Sequence, residues 1–148
     1  MADFRVTIHA LTNQIPRRLG VLISGRGSNL QAIIDAIAGG ELRAKIAVVI
    51  SNRVEAAGLA RAKDAGIETL CLSPRGYADR SAYDRAIADI LLARDVGLVC
   101  LAGFMRLLGS PLLDAFPNRV VNIHPSLLPA FPGLDLTRRN PRRGAISG

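Results

Sequence analysis

Leu19-Gly20-Val21-Leu22-Ile23-Ser24-Gly25-Arg26-Gly27-Ser28-Asn29-Leu30 is the stretch that decides the fold. Its first five residues are a short apolar run of the kind that forms a buried strand. The glycines then open a turn. From Leu30 onward, Leu30, Ile33, Ile34 and Ile37 recur at i, i+3, i+4 and i+7, which is the spacing of one helix face. Gly39-Gly40 ends that helix. Strand, glycine turn and helix in this order open a βαβ unit.

The alternation continues along the chain. Lys45 to Ile50 reads as a second strand, Glu55 to Ala65 as a helix of small residues, and Ile67 to Leu72 as a third strand. Ser73-Pro74-Arg75-Gly76 is loop, and Tyr83, Ile87, Ile90 and Leu91 mark an amphipathic helix from about Arg80 to Arg94. Gly97 to Leu101 and Val120 to Ile123 supply the fourth and fifth strands. Strands this apolar are covered on both faces. The expected fold is therefore α/β: a Rossmann-like, doubly wound, mostly parallel sheet spanning residues 19–135. Residues 1–18 form an N-terminal extension and residues 136–148 a basic tail. The extension has no clear partner in the sheet and the tail has no period, and both read as flexible. There are no internal repeats.

Composition narrows the function classes. A chain of 148 residues, 49% hydrophobic and 21% charged, fits one soluble domain with a real core. Its net charge of +7 comes largely from Arg138, Arg139, Arg142 and Arg143 near the end; without them 15 basic residues face 12 acidic ones. With aromatics at only 4%, this argues against a nucleic-acid partner. Cys71 and Cys100 sit singly in apolar runs, away from any CxxC pair, and read as buried reduced thiols rather than metal ligands. No stretch has the length of a membrane span and none reads as an export signal, so a cytoplasmic location is expected, with no membrane and no metal.

In an open α/β sheet, ligands gather at the carboxyl ends of the strands where strand order reverses. Three strand ends carry candidate chemistry. Ser24 to Asn29 after the first strand suits an anion, because backbone N–H groups at a helix N-terminus face outward there; a plain βα turn with Ser28 as N-cap is the equal alternative. A dinucleotide site fits less well: Leu30 replaces the third glycine of G-x-G-x-x-G, and Ser51-Asn52-Arg53 lacks the ribose-binding acid. Ala102 to Leu108 after the fourth strand is an apolar loop that either receives a flat heterocycle or simply packs on the core. After the fifth strand, Asn122 and His124 lie two apart and so project to one side, an amide donor beside an imidazole. His9 falls in the extension and reads as structural.

Taken together, Ile23 to Leu30 and Leu101 to Arg106 followed by Asn122 to Pro129 resemble glycinamide ribonucleotide formyltransferase. The likeness runs from about Arg18 to Asp135. The second motif is shared with other folate-dependent formyltransferases and with formyltetrahydrofolate hydrolase; the glycine-rich one points to the purine enzyme. The resemblance implies the formyltransferase fold and transfer of a formyl group from 10-formyltetrahydrofolate to the amine of glycinamide ribonucleotide in purine biosynthesis. It further implies that the backbone at Gly27, Ser28, Asn29 and Leu30 holds the substrate phosphate. Arg80, Met105, Arg106, Leu107 and Leu108, together with Asn122, would line the folate site. Asn122 would donate to the oxyanion that forms as the amine attacks, and His124 would assist with charge and proton movement.

The family also uses a later aspartate, beyond the reach of this sequence. Asp135, the sole acid after His124, closes the family segment Phe131-Pro132-Gly133-Leu134-Asp135 and is not given that role. After it, Leu136 to Arg143 departs from the family pattern, and Pro141 would break a helix there. The expectation is a truncated or frame-disrupted member, incomplete after Asp135. Its alternatives are an inactive remnant that binds phosphate or nucleotide, or a formyltetrahydrofolate hydrolase. A sheet cut after its fifth strand should also expose an edge and self-associate.

Overall fold

The computed structural model describes residues 18–123 together with the backbone of residues 134–136. In chain order these form β1 (Arg18–Ile23), α1 (Ser28–Ala38), β2 (Lys45–Ser51), α2 (Gly58–Asp64), β3 (Thr69–Cys71), α3 (Arg80–Ala93), β4 (Leu98–Leu101), α4 (Ser110–Leu113), β5 (Val120–Ile123) and β6 (Leu134–Leu136). One sheet takes all six strands in the order β3-β2-β1-β4-β5-β6. The first five are parallel and β6 runs antiparallel to β5. The chain winds from β1 out to β3 and then crosses back to place β4 on the other side of β1. That reversal puts the switch point at the carboxyl ends of β1 and β4.

The sheet is doubly wound, as expected. Leu19, Val21 and Ile23 of β1 pack on one face with Leu30, Ile33 and Ala36 of α1. Leu22 points the other way, with Val48 and Ile50 of β2, onto Tyr83, Ile87 and Leu91 of α3. Gly20 marks where α3 comes closest: a Cβ there would lie 2.4 Å from Cδ2 of Leu91. The two layers account for why β1, β2 and β4 are apolar almost throughout.

Several local expectations are corrected. Cys71 is exposed rather than buried. β3 is an edge strand of three residues, paired only with β2, so its side chains are not covered on both faces. Cys100, in β4, is fully buried, and burial pushes its thiol up to about 12. The helix expected from Glu55 begins only at Gly58, whose N–H is held by the Gly25 carbonyl at 3.0 Å. Ser28 is not the N-cap of α1; Gly27 is, and Ser28 is the first helical residue. Two elements had no forecast. α4, at four residues, is too short to show a period. β6 spans the boundary drawn between residues 135 and 136, and it covers the edge of β5 that was expected to be open.

Candidate functional site at the carboxyl ends of β1 and β4

After β1 the backbone must turn sharply to begin α1, and Gly27 makes that turn with φ +82°. A Cβ there would also lie 2.6 Å from the Cα of Gly58, so the loop rests directly on the start of α2. Arg61 fastens it, donating from Nε to the Arg26 carbonyl at 2.8 Å and from Nη1 to Oε1 of Gln31 at 3.3 Å. Gln31 is the first amide bonded within α1, to the Gly27 carbonyl at 2.8 Å. The amides of Ser28, Asn29 and Leu30 therefore precede the helical ladder, at the end where the helix dipole is positive. This geometry suits an anion.

Ser24 joins this turn to the rest of the switch point. Its hydroxyl donates to Oδ1 of Asn52, beyond β2, at 2.6 Å and accepts the Met105 N–H, beyond β4, at 2.7 Å. Three strand ends thus meet on one buried hydroxyl. Above it opens a crevice of about 210 Å³, walled by residues 24–29, Arg53, Ala102, Gly103 and Met105. Arg53 is mostly solvated and pairs loosely with Glu55 at 3.4 Å.

The opposite wall is the loop after β4. Phe104 and Leu108 are buried, whereas Met105 and Leu107 are 73% and 50% exposed. The Arg106 guanidinium lies 4.7 Å over the Tyr83 ring, a cation–π contact. Tyr83 donates its hydroxyl to the Leu72 carbonyl at 2.7 Å. Burial pushes that phenol up to about 12, against the opposing pull of Arg106. Arg80 stands exposed at the start of α3. One turn later, Asp84 is buried beneath the loop and accepts the Gly109 N–H through Oδ2. Burial raises the Asp84 pKa, opposed by that N–H and then by Arg106 and Arg80.

Asn122 sits in β5, 1% exposed, beside Leu101 of β4 and across from Asp135 of β6. The turn reaches this strand directly: Nδ2 of Asn29 donates to the Ile123 carbonyl at 3.2 Å. His124 and the segment to Pro129 lie outside the described residues, as do His9 and the extension to residue 17.

Of the site residues expected from sequence, Gly27, Ser28, Asn29 and Met105 share one crevice. Leu30 offers only its backbone, because its side chain is in the core. Leu108 is also largely inward-facing, while Arg106 and Leu107 continue the second wall. Sequence reasoning placed Ser24 in the turn but not its bonds to Asn52 and Met105, and it missed Asn52, Arg53 and Asp84 as site residues. Asn52 and Arg53 had a signal in their place just beyond a parallel strand. Asp84 had one too: it precedes Ile87, Ala88 and Leu91 at helical spacing, an acid on a buried stripe.

Fold and crevice together define a Rossmann-like α/β protein whose glycine turn and apolar loop face each other across the switch point. The chain belongs to the formyl transferase family, whose model matches residues 17–147. It is 44% identical over 123 residues to the phosphoribosylglycinamide formyltransferase of Haemophilus influenzae, covering 83% of this chain and 58% of that protein. It is 46% identical over 131 residues to the trifunctional purine biosynthetic protein adenosine-3 of Drosophila melanogaster, covering 87% of this chain and 10% of that one. The crystal structure of glycinamide ribonucleotide transformylase 1 from Symbiobacterium toebii superposes with a TM-score of 0.72 at 55% identity, covering 86% of this chain and 60% of the other. The chain thus spans about three fifths of its stand-alone relatives.

Proposed function

We propose that this chain transfers a formyl group from 10-formyltetrahydrofolate to the amine of glycinamide ribonucleotide. The observation that carries the reading is the meeting of the glycine turn and the Met105 loop in one crevice at the switch point, held together by Ser24. The N–H groups of Gly27, Ser28, Asn29 and Leu30 would take the phosphate of the ribonucleotide, with Arg53 adding positive charge at the rim. Arg80 and residues 105–108 would hold the folate, the exposed Met105 and Leu107 offering apolar surface to its ring. The bound folate supplies the activated formyl carbon.

Acyl transfer then asks two things of the chain's own residues. A donor must be aimed at the carbonyl oxygen as charge develops there, and a base must receive a proton from the attacking amine. Asn122 fits the first role, and its strand is tied to the phosphate turn through Asn29 and Ile123. Losing such a donor costs about 3 kcal/mol of barrier. His124 would move the proton, a contribution on the order of 10²–10⁴-fold. No metal enters this scheme.

The test is formyl transfer from 10-formyltetrahydrofolate to glycinamide ribonucleotide, with His124→Ala as control. Turnover well above the control is expected. Equal rates would defeat the proposal and leave a phosphate-binding protein. Formate released without the ribonucleotide would reassign the chain as a hydrolase of the folate.

A further inference from the structure

The loop after β4 is held at both ends by side chains from elsewhere in the fold. At its start the Met105 N–H donates to Ser24 Oγ at 2.7 Å, and at its end the Gly109 N–H donates to Oδ2 of Asp84. Between these anchors the loop turns Met105 and Leu107 outward and lays Arg106 on Tyr83. Asp84 is only 1% exposed. A buried carboxylate with one amide donor is poorly satisfied, and among the described residues its second oxygen, Oδ1, has no hydrogen-bond partner. Nε of Arg106 is likewise buried without one among the described residues. Gly109 fits this contact closely, since a Cβ there would lie 2.8 Å from the same Oδ2.

A buried charge that serves only packing is a poor choice, because an apolar residue of similar size would stabilise a core more. A carboxylate placed here does something an apolar residue does not. It grips the loop end by a charge-assisted hydrogen bond and sets a negative charge beneath Arg106 and Arg80. We propose that Asp84 is a positioning residue that holds the Met105–Gly109 loop, and with it Arg106, in the shape that receives the formyl donor. The inference rests on the folate side of the function proposed above.

The experiment measures binding of 10-formylfolate, a stable form of the folate, to the whole chain and to its Asp84→Asn and Asp84→Ala variants. Hydrogen exchange of the Gly109 amide and thermal melting accompany it. Asp84→Ala is expected to weaken binding about tenfold or more. Asp84→Asn keeps an oxygen to accept the Gly109 N–H but removes the charge, so it should weaken binding less. Both variants should speed Gly109 exchange, and Asp84→Asn should melt no lower than the parent. A purely structural role predicts the opposite pairing, a lower melt with unchanged affinity. Unchanged affinity in both variants, or unchanged exchange at Gly109, overturns the proposal. If the parent itself ignores 10-formylfolate, the functional proposal fails, while faster exchange in the variants still supports the hold of Asp84 on the loop.

Discussion

Gly27 carries two constraints at once: a left-handed backbone and contact with the backbone of Gly58. Alanine would violate both, because it resists φ +82° and its methyl would push α2 away. Gly27→Ala should therefore lower stability by about 2 kcal/mol or more, read from urea denaturation. It should also abolish binding of inorganic phosphate at the turn. A variant as stable as the parent would show that α2 gives way easily. Asp84 makes a prediction of different kind, about pH. Burial raises its pKa in the fold above the ordinary aspartate value of 3.8, so the folded state resists its ionisation. Below that value the parent and Asp84→Asn should be equally stable. As pH rises through the folded value, the parent alone loses stability, because only it must bury a charge, with Arg106 and Arg80 offsetting part of the cost. Melts of the two proteins across pH should diverge in that sense, with the variant ahead at neutral pH.

At the scale of elements, the close approach of α3 to β1 depends on Gly20 lacking a side chain. Gly20→Ala would drive a methyl into Leu91 and is expected to destabilise by roughly 1–3 kcal/mol, visible as a lower midpoint without a change in slope. The same elements explain what was legible in advance. β1, α1, β2, α3, β4 and β5 declare themselves by long apolar runs or by helical spacing, and each lies within a residue or two of its expected limits. β3 was expected to be longer because Ile67 to Leu72 reads as apolar, yet at the edge only three residues find ladder partners. α4 and β6 have no periodic signature at their length, so only tertiary contact defines them. The site divides in the same way. The glycine turn was readable because its chemistry is local to a few consecutive residues. Ser24 with Asn52 and Met105, and Asp84 with Gly109, were not, because each contact joins positions at least 25 apart whose meeting only the fold creates.

Seen whole, the sheet has a short strand at each side, β3 and β6, three residues apiece. Short edges limit strand addition but do not prevent it. We propose that the chain self-associates weakly through such an edge; sedimentation velocity over a range of concentrations should show a rising mean mass, and a constant monomer would refute it. The strand order carries a consequence for how the protein is made. β1 leaves the ribosome before the other described strands, yet one of its two neighbours is β4, with Leu19 paired to Leu98. At translation speeds of about 5–20 residues per second, roughly 4–16 seconds separate their synthesis. Through that interval a strand apolar from Leu19 to Ile23 waits with one side open, so nascent chains stalled before Leu98 should be the ones that chaperones hold.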